Sequence, residues 1–146
     1  MRLVVDTSVL VGELLRASGR TRLGDERIDL FLAERMWGET QVELPRRIAA
    51  FIRRRGLEPR LGDELSAACL AAVDANIVIL DEAIYAALED EARARSLRDP
   101  RDWPVVASAL ALNAGIWTND NDFLGTGVAT WTTETLDRWL QRQPES

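Results

Sequence analysis

The sequence predicts a single α/β domain, a three-layer α/β/α sandwich around a mostly parallel central sheet. Short apolar runs that suit buried strands alternate with longer segments of helical periodicity. No repeat, low-complexity tract or linker interrupts the 146 residues, of which 47% are hydrophobic. A chain of this size buries roughly two-thirds of its unfolded surface around one core. We therefore treat residues 1–146 as one domain.

The chain opens with a strand, a helix and a loop. Residues 2–5 are an apolar run that ends at Asp6, as expected for a buried first strand. The apolar spacing after it predicts a helix, and either Thr7 or Ser8 can cap its first turn. Residues 17–27, with two glycines and mixed charges, are predicted to form a loop.

The next segments contain one ambiguous run and two helices. Residues 28–32 suit either a second strand or the tail of a helix. The spacing of apolar residues over 35–55 is helical, and Gly56 ends this segment. Pro45 lies inside it and is expected to kink or divide the helix. Another helix is predicted over about residues 63–75.

A compact apolar strand at residues 77–80 opens the second half of the chain. Asp81 is placed to cap a long amphipathic helix, which breaks near Ser96. A helix-start signal then appears at Asp102, which tryptophan and proline follow, and the helix runs to about Gly115.

Two short strands and a helix complete the predicted fold. Residues 116–118 form a strand of three or four residues, residues 128–132 form another, and residues 134–142 form the closing helix. Ligands of open α/β sheets bind beyond the carboxyl ends of the strands. Polar residues that directly follow strands are therefore the first place to look for a site.

The composition excludes several kinds of chemistry. The chain has no histidine and no lysine, so its 18 basic residues are all arginine. This excludes histidine-dependent nucleophilic catalysis, Schiff-base lysines and the phosphate-loop lysine. The single cysteine, Cys69, lies in an apolar run, where an inert buried thiol is the usual role. With no leader-like or membrane-spanning segment in the sequence, we expect a cytoplasmic protein that does not enter a membrane.

Carboxylates at the ends of predicted elements are the most informative feature. If the fold brings them together, a divalent cation with oxygen ligands, Mg²⁺ or Mn²⁺, is the ordinary way to neutralise them. The net charge of −6 argues only weakly against a nucleic-acid partner, because such a cluster accounts for much of it. The candidate acids are Asp6, Glu39, Asp102, Asp120 and Asp122.

Each acid also has a purely structural interpretation. Asp6 can end a strand or cap a helix, although the residues after it are also able to cap. Asp102 can act as a helix cap, and Asp99 competes for both that role and the site. Glu43 is one turn from Glu39 but has arginines at i+3 and i+4, an arrangement typical of a solvated ion pair. We therefore prefer Glu39. The aspartates of the segment after residue 118 also suit a polar turn.

Arginines near these acids are candidates for binding phosphate groups. Arg98 and Arg101 flank the third acid, and a guanidinium binds phosphate in a bidentate manner. The arginines of residues 46–55 are a further candidate set, although charge runs of this kind are usually solvated helix faces.

With the acids in this order, the chain resembles the PIN domain family, small metal-dependent nucleases that include the VapC toxins. Residues 3–10 resemble the opening strand of the family with its first acid. Glu39 resembles the glutamate of the second helix, Asp102 the third acid, and residues 118–124 the last motif. The chain departs from the family at Trp103 and Asn121, where the family often has a small and a basic residue, and neither change removes a ligand.

The resemblance implies an endoribonuclease that hydrolyses single-stranded RNA with Mg²⁺ or Mn²⁺ and leaves a 5′-phosphate. The ions would be held by Asp6, Asp102, Asp120 and Asp122, and Glu39 would act through a water molecule or position the nucleophile. Supporting hydroxyl groups would come from Thr7, Ser8 and Thr118.

The resemblance also implies partners. A VapC-like toxin pairs with an antitoxin protein, and we expect a homodimer. An alternative is a catalytically weak binding module that acts through such a partner, with an interface formed by apolar helix residues: Leu14, Leu15, Leu65 and Leu70. A phosphoacceptor or phosphohydrolase on a similar sheet is a third possibility, against which the missing lysine counts.

Overall fold

One sheet of five strands forms the centre of the molecule in the computed structural model, which describes residues 1–144. All neighbouring strands are parallel, and their order across the sheet is β3-β2-β1-β4-β5. The strands are β1 (Arg2–Val5), β2 (Asp29–Ala33), β3 (Ile77–Leu80), β4 (Gly115–Trp117) and β5 (Thr130–Trp131). The ambiguous run at residues 28–32 is therefore a strand, and the sheet is fully rather than mostly parallel.

α-Helices connect the strands everywhere except between β4 and β5, which gives the predicted α/β/α sandwich. Short 3₁₀ turns at Ala86–Leu88 and Pro100–Asp102 separate helices, and another at Asn121–Phe123 lies between the last two strands. The helices are α1 (Thr7–Leu14), α2 (Ala17–Leu23), α3 (Glu34–Arg55), α4 (Pro59–Asn76), α5 (Glu82–Tyr85), α6 (Glu89–Arg95), α7 (Trp103–Leu112) and α8 (Thr133–Arg142). None of the helices that the structure describes is long and apolar enough to span a membrane.

The core lies around the central strand. Leu3, Val4 and Val5 of β1 are fully buried, as expected for a parallel strand that is covered on both faces. Helix α7 is the most apolar helix of the fold, and its residues 103–109 are all buried. Leu14 is also fully buried in this core, so it cannot form part of the interface that we predicted for it.

The strand order places a switch point between β1 and β4. From β1 the chain moves outward through β2 to β3, and it then returns to the other side of β1 to add β4 and β5. The loops that leave β1 and β4 consequently diverge, and a crevice opens at their carboxyl ends. Asp6 directly follows β1 and Thr118 directly follows β4, so both residues lie at this crevice.

The predicted loop at residues 17–27 is wrong, because helix α2 forms there. Gly19, which suggested a loop, is needed for close packing instead: a Cβ at this position would lie 2.1 Å from the carbonyl oxygen of Glu13. Leu23 is buried, and Arg20 donates a hydrogen bond of 2.7 Å to the carbonyl of Leu14. Tertiary contacts with α1 therefore stabilise a helix that the local sequence does not favour.

Pro45 does not divide helix α3, which continues from Glu34 to Arg55. A proline within a helix removes one backbone hydrogen bond and leaves the carbonyl four residues earlier without its donor. That carbonyl belongs to Gln41, and both Gln41 and Pro45 are exposed. Solvent is thus available to the carbonyl, and buried side chains on both sides of Pro45, Met36, Leu44 and Ile48, anchor the continuous helix in the core.

The long helix predicted after Asp81 is also wrong in part. Asp81 caps α5 as expected, since its carboxylate accepts a hydrogen bond of 2.9 Å from the backbone N–H of Ala83. The helix then stops at Tyr85, and a 3₁₀ turn separates it from α6. Ile84 is 52% exposed, whereas Tyr85 is fully buried. One buried aromatic side chain, rather than a continuous apolar face, therefore holds this segment.

Candidate metal centre

Acidic side chains from four segments line one pocket of about 290 Å³ beyond the carboxyl ends of β1 and β4. The segments are the end of β1, helix α3, the turn before α7 and the turn after β4. The acids that line the pocket are Asp6, Glu43, Asp99, Asp102, Asp120 and Asp122. Four of the five acids that the sequence singled out are therefore in one place.

Asp6 accepts hydrogen bonds from hydroxyl groups on helix α1 and on the segment that follows β4. Its Oδ2 atom accepts hydrogen bonds of 3.0 Å from Ser8 Oγ and from Thr118 Oγ1. Thr118 Oγ1 also accepts from the backbone N–H of Asp120 at 3.0 Å. Neither Thr7 nor Ser8 caps helix α1 as predicted, because Asp6 occupies the N-cap position. The hydroxyl group of Ser8 is instead directed at the carboxylate of Asp6.

Asp99, Asp102 and Asp122 form the tightest group of acids in the part of the chain that the structure describes. One carboxylate oxygen from each lies within 4.8 Å of the others, and all three side chains are half-buried. Asp122 is oriented by its neighbour in sequence, since its backbone N–H donates to Asp120 Oδ1 at 3.1 Å. The sequence left Asp99 as a competitor of Asp102 for both the cap and the site, and Asp99 was not among the five preferred acids. Its position three residues before Asp102, in one helical turn, was the signal that both could face the same pocket.

The electrostatics of the pocket are unfavourable for so many anions. Burial raises the pKa of Asp102 to about 7, and the charges of Asp99, Asp6, Asp122 and Asp120 raise it in the same direction. Burial also raises the pKa of Asp6, which the charge of Asp120 raises further, while the hydroxyl donors of Asp6 oppose this effect. A cation at this point would reverse the shifts, because it stabilises the ionised form of each acid.

Arg101 partly neutralises this cluster. It contacts Asp99 through its backbone N–H at 3.1 Å and through two guanidinium nitrogens at 3.1 and 3.2 Å. The hydrogen bonds from Arg101 lower the pKa of Asp99. Arg98 donates from Nη1 to the carbonyl oxygen of Asn121 at 3.1 Å. Both arginines predicted to bind phosphate therefore lie beside the pocket, and both already have a protein partner.

The two glutamates of α3 occupy different positions. Glu43 is half-buried and lines the acidic pocket together with Arg47, to which it is paired at 4.0 Å. Glu39 is exposed and lies in an adjoining groove, whose lining also includes Glu43 and Thr7. We preferred Glu39 because the arginines at i+3 and i+4 from Glu43 are typical of a solvated ion pair. In the structure, Glu43 pairs with Arg47 and also lines the pocket, so the ion pair does not exclude Glu43 from the site.

The donors of the pocket fit a hard divalent cation. All are carboxylate or hydroxyl oxygens, which suit Mg²⁺ and Mn²⁺, and the chain has no histidine to favour a softer metal. Thr7 Oγ1 supports this assignment, because it is a buried atom at the pocket without any hydrogen-bond partner among the described residues. An unsatisfied buried hydroxyl group is uncommon and is expected where a ligand or a water molecule completes the site.

Among solved structures, the chain is similar to FitAB bound to the IR36 DNA fragment. The similarity covers 90% of this chain and 94% of that chain, with a TM-score of 0.55 and 20% sequence identity. At this identity the comparison establishes the fold. No curated protein matches the sequence.

The sequence profile of the PIN domain matches residues 4–141, which is nearly the whole chain and includes every acid described above. The match agrees with the parallel sheet and with the acidic pocket at its switch point. The chain therefore belongs to the PIN domain family.

Proposed function

We propose that this chain is an endoribonuclease that hydrolyses phosphodiester bonds in single-stranded RNA, with one or two Mg²⁺ or Mn²⁺ ions bound in the acidic pocket. The observation that carries the proposal is the convergence of aspartates from three separate segments on one crevice of a PIN domain. Burial and the neighbouring acids raise the pKa of Asp102, and a bound cation would offset this repulsion.

The residues of the pocket have distinct proposed roles. Asp6, Asp102, Asp120 and Asp122 would hold the metal, and Asp99 joins this set because of its position beside two of them. Ser8 and Thr118 would keep the carboxylate of Asp6 oriented, as second-layer hydrogen bonds do in metal sites. When bound, such a metal lowers the pKa of a water molecule and stabilises the charge that develops on the phosphate oxygens.

The groove beside the pocket would bind the part of the RNA strand on one side of the scissile phosphodiester bond. Thr7, Gly38, Glu39 and Val42 line it, and Val42 is 56% exposed. An exposed valine beside a bare glycine offers an apolar surface on which a base can lie. Glu39 would act from this groove through a water molecule, as the family resemblance implies.

An antitoxin partner and a homodimer are part of the proposal. The resemblance to the VapC toxins suggests the antitoxin, and the similarity to FitAB, which was solved bound to DNA, is compatible with an assembly of that kind. Leu70, which is 51% exposed on α4, remains available for such an interface, whereas Leu14 is not. We place the activity in the cytoplasm, where the buried free thiol of Cys69 stays reduced.

The test compares two aspartates that each follow a strand directly. Asp6 follows β1 and lies in the pocket, while Asp81 follows β3, lies outside the pocket and caps α5. We expect Asp6→Asn to lower Mn²⁺-dependent cleavage of a labelled single-stranded RNA by about 100-fold or more, because even outer-layer changes at metal sites cost about 10–100-fold. Asp81→Asn keeps the cap and should cleave like the wild type.

Two outcomes would contradict the proposal. Cleavage that persists unchanged in Asp6→Asn, or in the presence of a chelator, would show that the activity does not depend on this pocket. If the wild type cleaves neither RNA nor single-stranded DNA with Mg²⁺ or Mn²⁺ but binds an antitoxin-like partner, the chain is a binding module instead.

A further inference from the structure

Positive charge is concentrated on one part of an otherwise acidic molecule. Residues 43–60, which form the second half of α3 and its junction with α4, hold six arginines and two glutamates, a formal charge of +4. The whole chain has a formal charge of −6. This part of the fold, here called the α3 arm, therefore differs in sign from the rest of the molecule and from the acidic pocket.

Most arginines outside the α3 arm already have a carboxylate or carbonyl partner, but those on the arm are largely unpaired. Among the described residues, the guanidinium groups of Arg46, Arg53 and Arg54 make no ion pair or hydrogen bond, and all three residues are exposed. Arg55 lies over the ring of Phe51 at 4.7 Å, which leaves its charge facing solvent. Unpaired exposed cations lose little when they bind an external anion, because no internal bond has to break.

The helix geometry connects these arginines to the acidic pocket. Glu43 and Arg47 line the pocket, and Arg54 follows Arg47 by seven residues, which is close to two full turns of a helix. The three side chains therefore share one face of α3, and Arg54 lies about 10 Å further along the helix axis than Arg47. Arg46 and Arg53 are also seven residues apart and form a second row about 100° around the helix axis from the first, on the side where Arg53 borders the groove between α3 and α4.

We propose that the α3 arm is a binding surface for the phosphate backbone of the RNA substrate, outside the acidic pocket. The proposal rests on the nuclease function proposed above. Single-stranded nucleic acids bind to positively charged tracks that follow the backbone, and the two rows of arginines form such a track leading away from the pocket. Arg98 and Arg101 are less available to bind phosphate, because they already contact Asn121 and Asp99. The arginines of the α3 arm would provide the additional positive charge.

The experiment measures RNA binding by fluorescence anisotropy with a chelator present, so that no cleavage occurs. The probe is a labelled oligouridine of about 12 nucleotides. The variant Arg53→Gln/Arg54→Gln removes two distal arginines that lie outside the acidic pocket. The matched control, Arg138→Gln/Arg142→Gln, removes the same charge from α8, which packs against β5 at the opposite edge of the sheet. Thermal unfolding of each variant checks that the fold is retained.

We expect the α3 variant to bind the RNA about tenfold more weakly at about 0.1 M salt, with the control close to the wild type. Between about 50 and 200 mM salt, the slope of log K against log [salt] should become shallower by about 1.4, which corresponds to two lost phosphate contacts on a single strand. A slope and affinity that change equally in both variants would overturn the proposal, because the effect would then be one of net charge alone.

Two further results separate this proposal from its alternatives. If the α3 variant loses affinity for an acidic polyglutamate peptide but not for RNA, the arm binds an acidic protein partner and the proposal is wrong. If the wild type cleaves RNA with Mn²⁺ while the α3 variant binds it normally, the nuclease function stands and the binding surface is rejected. RNA binding that depends on the arm, without any cleavage, supports the surface and removes the nuclease function.

Discussion

Asp102 has the charge state that depends most strongly on its surroundings. It has the same ordinary pKa as any aspartate, 3.8, but burial and four neighbouring acids raise this to about 7 in the folded chain. The folded state therefore holds the proton more tightly than the unfolded state does. Protonated Asp102 stabilises the fold at low pH, and this contribution is lost as the pH rises from about 4 to about 7.

We predict that Asp102→Asn stabilises the metal-free protein at about pH 8, by about 1 kcal/mol, as substitutions that relieve strained functional sites commonly do. The stability of the variant should also change less than that of the wild type between about pH 4 and 7. Urea unfolding in the presence of a chelator measures both effects, with Asp81→Asn as the control. A variant that is less stable than the wild type at about pH 8 would show that the acids do not repel one another.

Gly38 is a residue whose presence the fold does not explain. It lies within helix α3, and a Cβ at this position would contact nothing within 4 Å. Glycine in a helix interior lowers the free energy of unfolding by about 0.5–1 kcal/mol relative to alanine, so the missing side chain at this position destabilises the fold. Because Gly38 lines the groove beside the acidic pocket, the proposed RNA substrate would approach the helix closely at this point.

The prediction is that Gly38→Ala raises the free energy of unfolding by about 0.5–1 kcal/mol but lowers RNA cleavage through a higher KM. Gly12→Ala in α1 is the matched control, because a Cβ would also be in open space there and Gly12 lines neither the pocket nor the groove. It should gain stability without losing activity. Equal activity of both variants would remove Gly38 from the proposed substrate path.

At the scale of elements, a buried carboxylate joins three helices. Glu13 of α1 is 1% exposed and accepts a hydrogen bond of 2.7 Å from Arg16 and another from Arg22 of α2. Arg22 also donates to both carboxylate oxygens of Asp137 on α8, at 2.8 and 3.2 Å. The charge of Glu13 would be costly to bury without these partners, so the network fixes the positions of α1, α2 and α8.

We predict that Arg22→Leu lowers the free energy of unfolding by about 3 kcal/mol, because it leaves the buried Glu13 without its main partner. Arg138→Leu removes an exposed i,i+4 partner of Glu134 and should cost less than about 0.5 kcal/mol. Chemical denaturation of the two variants tests the difference. Equal and small losses would mean that water reaches Glu13 and compensates for the missing guanidinium.

The strands and most helix ends were predictable from the sequence because each has a local cause. Val5 ends an apolar run before Asp6, Asp81 supplies a side-chain cap, and Gly56 adopts the left-handed conformation that ends α3. Helix α2 was not predictable, because its support is a packing contact between Gly19 and the backbone of α1 that no local pattern reveals. The uninterrupted α3 has a similar cause, since its buried face outweighs the hydrogen bond lost at Pro45.

The residues of the site also divide into those with a local signal in the sequence and those whose position depends on tertiary packing. Acids that follow a strand, such as Asp6 and Asp120, could be assigned because strand ends meet at a known edge of a parallel sheet. Asp99 and Glu43 appeared only as competitors of Asp102 and Glu39, because their place in the pocket depends on the rotation of a turn and a helix about their axes. The sequence gives the helical period but not the direction of each face relative to a distant strand.

At the scale of the whole molecule, charge is separated into an acidic crevice and a basic arm. The crevice lies at the switch point between β1 and β4, where aspartates from distant parts of the chain converge. The α3 arm begins at the same crevice, where Glu43 and Arg47 belong to both. A polyanion that is attracted by the arm would therefore be directed toward a pocket that repels it unless a cation is bound.

The most direct measurement of the central claim is anomalous diffraction from crystals of the protein soaked in Mn²⁺. We expect a peak inside the pocket, with carboxylate oxygens of Asp6 and Asp102 and of at least one of Asp99, Asp120 and Asp122 at about 2.1 Å from the ion. Crystals of Asp6→Asn should show a weaker peak or none. A wild-type crystal in which Mn²⁺ binds elsewhere on the surface, while the pocket contains no peak, would contradict the account.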